Sequence, residues 1–492
     1  MSGSLLPDGL VERTTPIPPS RYAGPDLLPT PLSARTWNTW HFAALWVGMS
    51  VCIPTYMLAA ALIQAGLTWP IALAAILIGN VVALVPMLLN GHAGTRYGIP
   101  FPVFLRAAFG ARGAHIPALL RGAVACGWFG IQTWIGGQAI HEIMTVLWSG
   151  WALLGGDWLW MGFTLPQYLG FLIFWVMNLY FVWNGTESIK WLETISAPLL
   201  IAAGIALFWW AATRAGGLAE MFRGATTLGG ARPFSFALFL PWVTAMVGFW
   251  ATLALNIPDF TRFARSQRDQ AAGQALGLLT TMPLFAFIGI AVTSATVTIY
   301  GEAIWNPVTL VARLTSELRS PVLGIVVLVV VLVATLTTSI AANIIAPANA
   351  IANLAPSRIT ARAGGLLAAL IGVVILPWKL LDSYQTWLIT YSGLLGAVGG
   401  VIVCDYVLVR RGQLSIPDLY AEGGAYWYDA GINRRAMAAM GAGILASLAG
   451  LLDPSLRFLF SGAWFSGAIV SFMLYAILMR PSSAAIAEGE VK

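Results

Sequence analysis

The chain has 492 residues, of which 58% are hydrophobic and 9% charged, with a mean hydropathy of +0.79. A soluble domain carries about 25% charged residues, so this chain cannot cover itself with polar surface in water and reads as an all-α polytopic membrane protein. The formal charge of +6 follows the topology given below and calls for no nucleic acid, and three scattered cysteines, Cys52, Cys126 and Cys404, suggest neither a disulfide framework nor a zinc site.

Residues 1–36 are polar and Pro-rich, lack the apolar core of a signal peptide, and read as a mostly disordered cytoplasmic tail. Twelve apolar segments follow, each near the roughly 20 residues that a spanning helix needs. They are placed at 38–65, 69–90, 115–143, 166–184, 191–213, 236–256, 274–299, 322–349, 363–378, 384–410, 436–452 and 458–479. A short polar tail, 481–492, closes the chain. With the N-terminus inside, 19 of the 26 Lys and Arg residues fall on the inner side, which puts both termini in the cytoplasm and the protein in the cell (inner) membrane.

Two segments are expected to be interrupted at their middles. In the first, Val47-Gly-Met-Ser-Val-Cys-Ile-Pro-Thr-Tyr56, Pro54 removes a backbone donor and Gly48 loosens the turn before it. The other is Pro241-Trp-Val-Thr-Ala-Met-Val-Gly-Phe-Trp250, five segments later. Broken helices at matching positions of two halves point to a secondary transporter built from inverted repeats; Pro-kinked helices are the plain alternative.

Segment three contains Cys126-Gly-Trp-Phe-Gly-Ile-Gln-Thr-Trp134. Trp128 and Gln132 are four apart and share a helix face, one offering a flat aromatic surface and the other an amide that donates and accepts. A planar molecule with C=O and N–H edges fits that pair, and a helix–helix contact fits it too. Segment eight holds Ala334-Thr-Leu-Thr-Thr-Ser-Ile-Ala-Ala-Asn343, where the hydroxyls of Thr337 and Thr338 are hard oxygen ligands suited to Na+ beside a broken helix. Either threonine can instead bond its own helix backbone. Asn343 lies roughly 8 Å along the axis from Thr338, close enough to serve a substrate next to an ion, or to make an interhelical bond.

What is missing narrows the function. Carboxylates are nearly lacking from the spans; Glu142 and Asp405 lie near segment ends. No paired carboxylates, Ser/His/Asp arrangement or phosphate-cradling loop is visible, so neither an enzyme nor an ATP-driven pump is expected. A neutral substrate, with an ion held by uncharged oxygens, fits better.

Five blocks taken together resemble the nucleobase–cation symporter-1 family, the purine/cytosine permeases. They are Ile53-Pro-Thr-Tyr-Met57, Gly91-His-Ala-Gly-Thr-Arg-Tyr-Gly-Ile-Pro100, the Cys126–Trp134 stretch, Gly248-Phe-Trp-Ala-Thr252 and Asn256-Ile-Pro-Asp-Phe-Thr-Arg262. The likeness runs from about residue 35 to 480 and is nearest to the bacterial hydantoin, allantoin and uracil permeases. It implies a LeuT-like fold: one five-helix repeat over 37–213, a second, inverted repeat over 214–410, and two peripheral helices over 411–480. It also implies Na+- or H+-coupled uptake of a neutral planar nucleobase or ureide, without a bound cofactor.

By the same resemblance, Trp128 and Trp250 sandwich the substrate ring, and Gln132 and Asn343 bond its edges. The Na+ site falls to backbone carbonyls of Gly48 and Val51 with groups of Ala334, Thr337 and Thr338. Two positions depart from the family pattern at the pocket: Cys52 stands where a glutamine is expected, and Phe249 where a glycine is. Carriers of the same fold for purines, cytosine, vitamin-like rings or amino acids are the nearest rivals.

Overall fold

The computed structural model describes residues 3–5, 9–13, 17, 20–184, 190–227, 234–356 and 358–480. Most of the described residues lie in helices. The first half comprises α1 (Thr39–Ser50), α2 (Ile53–Gln64), α3 (Trp69–Tyr97), α4 (Phe101–Phe109), α5 (His115–Leu147), α6 (Leu165–Asn184), α7 (Lys190–Arg214) and α8 (Leu218–Thr227). Next come α9 (Phe236–Asn256), α10 (Pro258–Thr261), α11 (Gln267–Tyr300), α12 (Pro307–Leu318), α13 (Pro321–Asn343) and α14 (Ile345–Ala352). The chain continues through α15 (Ala361–Val374), α16 (Pro377–Asp382), α17 (Tyr384–Val403), α18 (Arg434–Leu452), α19 (Arg457–Ser461) and α20 (Ala463–Leu478). Two antiparallel ribbons, Gly3–Leu5 with Val11–Arg13 and Leu159–Trp160 with Phe163–Thr164, are the strands among the described residues.

Among the described residues, eight helices are long and apolar enough to cross a membrane, and ten spans result if two bent pairs each count as one. The remaining two of the twelve expected segments depart from that pattern for different reasons. Helix α5 has the length but carries Arg121, Gln132, Gln138, His141 and Glu142. Every residue from Val124 to Gly137 is buried, so its central turns meet protein rather than lipid and need not be uniformly apolar. Helix α15 has 14 residues and rises about 21 Å, short of a roughly 30 Å hydrocarbon layer.

Helix α11 packs on α1, α2, α3 and α7; α5 packs on α6, α13, α14 and α15; and α9 lies between α3 and α17. Helix α17 also carries α18 and α20. Like the middle of α5, α9 is enclosed, with every residue from Trp242 to Asn256 buried. The two enclosed helices carry the candidate site.

Proline positions explain the breaks. A proline cannot donate to the carbonyl four residues before it and its ring crowds that carbonyl. Pro54 withholds its donor from Ser50, where α1 ends; α1 and α2 meet there at 58°, and the Cys52 N–H meets the Ser50 carbonyl instead (3.0 Å). The expected interruption between Pro241 and Trp250 is absent: α9 runs unbroken, because Pro241 withholds its bond only from Ala237 in the first turn. The break instead follows α9, where Pro258 withholds a donor from Ala254 and the side-chain amide of Asn90 supplies one (2.7 Å). A further break separates α13 from α14, four residues before Pro347, and places Asn343 at the joint.

The N-terminal segment is not the disordered tail expected over its last third. Residues 20–37 lie against the helix ends. The buried Arg35 donates to the carbonyls of Thr30 (3.0 Å) and Thr95 (3.2 Å), and Arg262 donates to the Thr30 hydroxyl (2.6 Å). Ser20 donates to the Tyr420 carbonyl (2.6 Å), and the Tyr420 hydroxyl returns a bond to the Leu27 carbonyl (2.7 Å). This stretch of apparent coil is thus tied to the rest of the molecule through its polar groups, which periodicity does not reveal. The C-terminal tail 481–492 lies outside the described residues.

Candidate binding site

The breaks at Ser50 and Asn343 and the enclosed faces of α5 and α9 converge on one cavity of about 30 Å³. Cys52, Trp128, Gln132, Phe249, Trp250 and Asn343 all line it, so the six side chains singled out as substrate contacts lie together. Met49, Thr252, Leu253 and Ala342 line it as well and were missed, each within four positions of an expected lining residue, and Thr338, expected at the ion site, lines it too. The volume is far below that of a pocket that holds a ring.

The aromatic walls are held edge to face. The Phe249 ring lies 5.1 Å from Trp128 and 4.9 Å from Trp250, and Trp46 lies 5.0 Å from Trp250 on the far side. The Trp128 indole donates to the Tyr391 hydroxyl (3.0 Å), and that hydroxyl donates to the Gly248 carbonyl (2.8 Å). The Trp250 indole donates to Asn80 (2.9 Å). Gly248 is needed for the approach of α17: a Cβ there would lie 2.6 Å from the Leu388 carbonyl oxygen. Gly130 serves in the same way against α15, since its Cβ would lie 2.5 Å from the Gly372 carbonyl oxygen. The neighbour that comes close at Gly130 is therefore a helix.

Polar satisfaction separates the lining groups. The Cys52 thiol lies 3.2 Å from the Thr55 hydroxyl and is thereby occupied. The Oε1 of Gln132 and the Nδ2 of Asn343 are buried and have no partner among the described residues. An unmet buried amide atom costs about 1–3 kcal/mol, and here the acceptor and the donor belong to two residues that line the same small space. The arrangement can receive a flat molecule that offers an N–H to one and a C=O to the other.

The oxygens expected around an ion fall into two contacts. Because the Cys52 N–H turns to Ser50, the Gly48 carbonyl lacks its usual helical donor and is met by the Thr338 hydroxyl at 3.5 Å. Val51 carries the chain through the break at φ −83°, ψ 79°. The Thr337 hydroxyl donates to the Ala334 carbonyl (3.1 Å) and lies 3.1 Å from the Ser196 hydroxyl of α7. Ser196 was not expected; its signal was a hydroxyl inside the apolar segment 191–213. These are neutral oxygens gathered where α1 breaks and α13 passes.

Two turns along α5 from Trp128, the fully buried Arg121 donates to Asn256 (2.8 Å), and Asn256 donates to Asp259 (3.1 Å). The other oxygen of Asp259 accepts the Phe101 N–H (2.9 Å). Asp259 lies beyond the end of α9, and burial pushes its carboxyl above the ordinary range against the pull of these bonds. The block Asn256–Arg262 that helped carry the resemblance thus ties α5 to the α9–α10 joint.

Comparison with known proteins shows the family and the fold. A family described as permeases for cytosine/purines, uracil, thiamine and allantoin matches residues 29–474. The allantoin permease of Bacillus subtilis (strain 168) is 41% identical over 476 residues, covering 95% of this chain and 96% of that protein. The purine-uracil permease NCS1 of Arabidopsis thaliana is 42% identical over 469 residues, covering 92% of this chain and 77% of that one. Among solved structures, Mhp1, a nucleobase-cation-symport-1 family transporter in a closed conformation with bromovinylhydantoin bound, is 27% identical with a TM-score of 0.76, over 95% of this chain and 99% of that one. With the family matched along nearly the whole chain and the fold shared, this multi-pass membrane protein is a permease of the nucleobase–cation symporter-1 family and not an enzyme.

Proposed function

We propose that the protein is a cation-coupled symporter that takes up a small neutral ring or ureide, such as uracil or allantoin, across the cell membrane by alternating access. The observation that carries this reading is the cavity itself: two indoles and two residues with unpartnered amide atoms around one small space at a helix break. The ring stacks between Trp128 and Trp250, donates an N–H to Gln132 and accepts from Asn343. Stacking contributes about 0.5–1.5 kcal/mol beyond area burial, so selection falls mainly on the amides. Phe249, wedged against both indoles, and Cys52, already bonded to Thr55, favour a compact substrate over a substituted hydantoin.

The coupling ion of this reading is Na+, held between Gly48 and Val51 of the broken first span and Ala334, Thr337 and Thr338 of α13, with Ser196 beside them. A proton gradient is the competing driving force. The chain crosses the membrane twelve times with both termini in the cytoplasm, and residues 37–213 and 214–410 form inverted repeats followed by two peripheral helices. Substrate and ion bind with the outer side open. The group containing α1, α3, α9 and α11 then rocks against the group containing α5, α6, α13 and α15, and the inner side opens. The small volume of the cavity supports such a motion, because a ring needs more room than these walls leave.

Uptake of radiolabelled uracil, allantoin and hydantoin by cells expressing the chain, with and without a Na+ gradient, tests the reading. Na+-stimulated uptake of uracil or allantoin is expected. Uptake driven by a proton gradient and indifferent to Na+ removes the ion assignment, and uptake of amino acids in place of these rings removes the substrate.

A further inference from the structure

Each indole that walls the cavity commits its N–H outside it. An indole has a single donor, and a buried donor that loses its acceptor is costly, so an engaged N–H fixes the turn of the ring about its side chain. Trp128 donates to Tyr391 and Trp250 donates to Asn80. Both acceptors are buried, on α17 and α3, and neither lines the cavity. The Tyr391 hydroxyl also donates to the carbonyl of Gly248, immediately before Phe249 and Trp250, so one hydroxyl links the α5 wall to the α9 wall. Trp387, one turn earlier on α17, braces the pair edge-on, 4.9 Å from Trp128 and 4.7 Å from Tyr391.

We propose that Tyr391 and Asn80 are positioning residues of the binding site, holding the indoles of Trp128 and Trp250 from outside the cavity so that the two walls keep one tilt and separation. The indoles then present only their faces to the ring, and hydrogen-bond recognition is left to Gln132 and Asn343. The proposal rests on the stacking reading above.

The test is equilibrium binding of radiolabelled uracil and allantoin to the purified full-length protein carrying Tyr391→Phe, Trp128→Phe or both. Tyr391→Phe keeps the ring and removes the hydroxyl, and it should raise Kd about threefold to tenfold. With Trp128→Phe already present there is no N–H left to hold, so Tyr391→Phe should add less than about twofold. An equal loss in both backgrounds overturns the proposal, because the hydroxyl then acts through the fold at large; an unchanged Kd in Tyr391→Phe overturns it too. Asn80→Leu against Trp250→Phe should repeat the pattern. If the wild-type protein binds none of these rings, the substrate reading fails while the positioning role is still measured without ligand. Ultraviolet resonance Raman difference spectra, taken between proteins with and without Trp128→Phe, isolate the hydrogen-bond marker of that indole. The marker must move to its unbonded position in the Tyr391→Phe background, and an unmoved band overturns the proposal.

Discussion

Gln132→Leu separates a recognition group from a structural one by the sign of two effects. Leucine nearly matches glutamine in volume, and the Oε1 it removes is buried without a partner. Deleting an unmet buried acceptor relieves up to about 1–3 kcal/mol in the empty protein, so the melting temperature should hold or rise. The complex changes in the opposite direction. The ring loses a bond and buries an unmatched N–H, a cost of about 1–3 kcal/mol, which is roughly a fivefold to 150-fold rise in Kd. A ring methylated at the donating nitrogen should bind the variant no worse than it binds wild type. The assay is thermal melting of the purified protein alongside equilibrium binding of uracil or allantoin. A melting point several degrees lower with Kd unchanged would refute the reasoning, since Gln132 would then be a bond between helices.

Two further outcomes follow from the same geometry. Thr338→Ala removes the hydroxyl that meets the Gly48 carbonyl and should raise the Na+ concentration for half-maximal uptake about threefold to tenfold, with substrate affinity at saturating Na+ little changed; an unaltered Na+ curve removes Thr338 from the ion site. Asn90→Leu leaves the Ala254 carbonyl without the donor that Pro258 cannot give and should cost about 1–3 kcal/mol of stability, a loss that shrinks in a Pro258→Ala background where a backbone N–H is restored. Denaturant titration of the two single variants and the double variant reads this directly.

Much of the site was legible because its chemistry sits on helix faces with fixed spacing. Trp128 and Gln132 had to share a face once segment three was a helix, and Pro54 had to end the helix before it. The second break was misjudged because a proline acts on the carbonyl four residues back, not on its own neighbourhood. Pro241 therefore disturbs only the start of α9, and Pro347 opens the joint at Asn343. Gly248 lies within the stretch expected to break, but it admits the backbone of α17. Tyr391 and Asn80 were invisible, since nothing local marks a side chain that meets an indole more than 150 residues away in sequence, at separations of 263 and 170. The packed stretch 20–37 was missed for a related reason: its polar groups find partners on distant elements, so its composition resembles that of a free coil.

That stretch also sets an order of events during synthesis. The Ser20 hydroxyl and the Tyr420 carbonyl are 400 residues apart in the chain. At about 5–20 residues per second, the first end to leave the ribosome waits roughly 20–80 seconds before its last partner exists. Throughout that interval the Leu27 carbonyl that Tyr420 later engages lacks this donor, and early spans are already being inserted. The last contacts of residues 20–37 thus form late in biogenesis although these residues are made first. A stall or truncation anywhere before Tyr420 leaves this end of the protein open, where quality-control proteases can reach it.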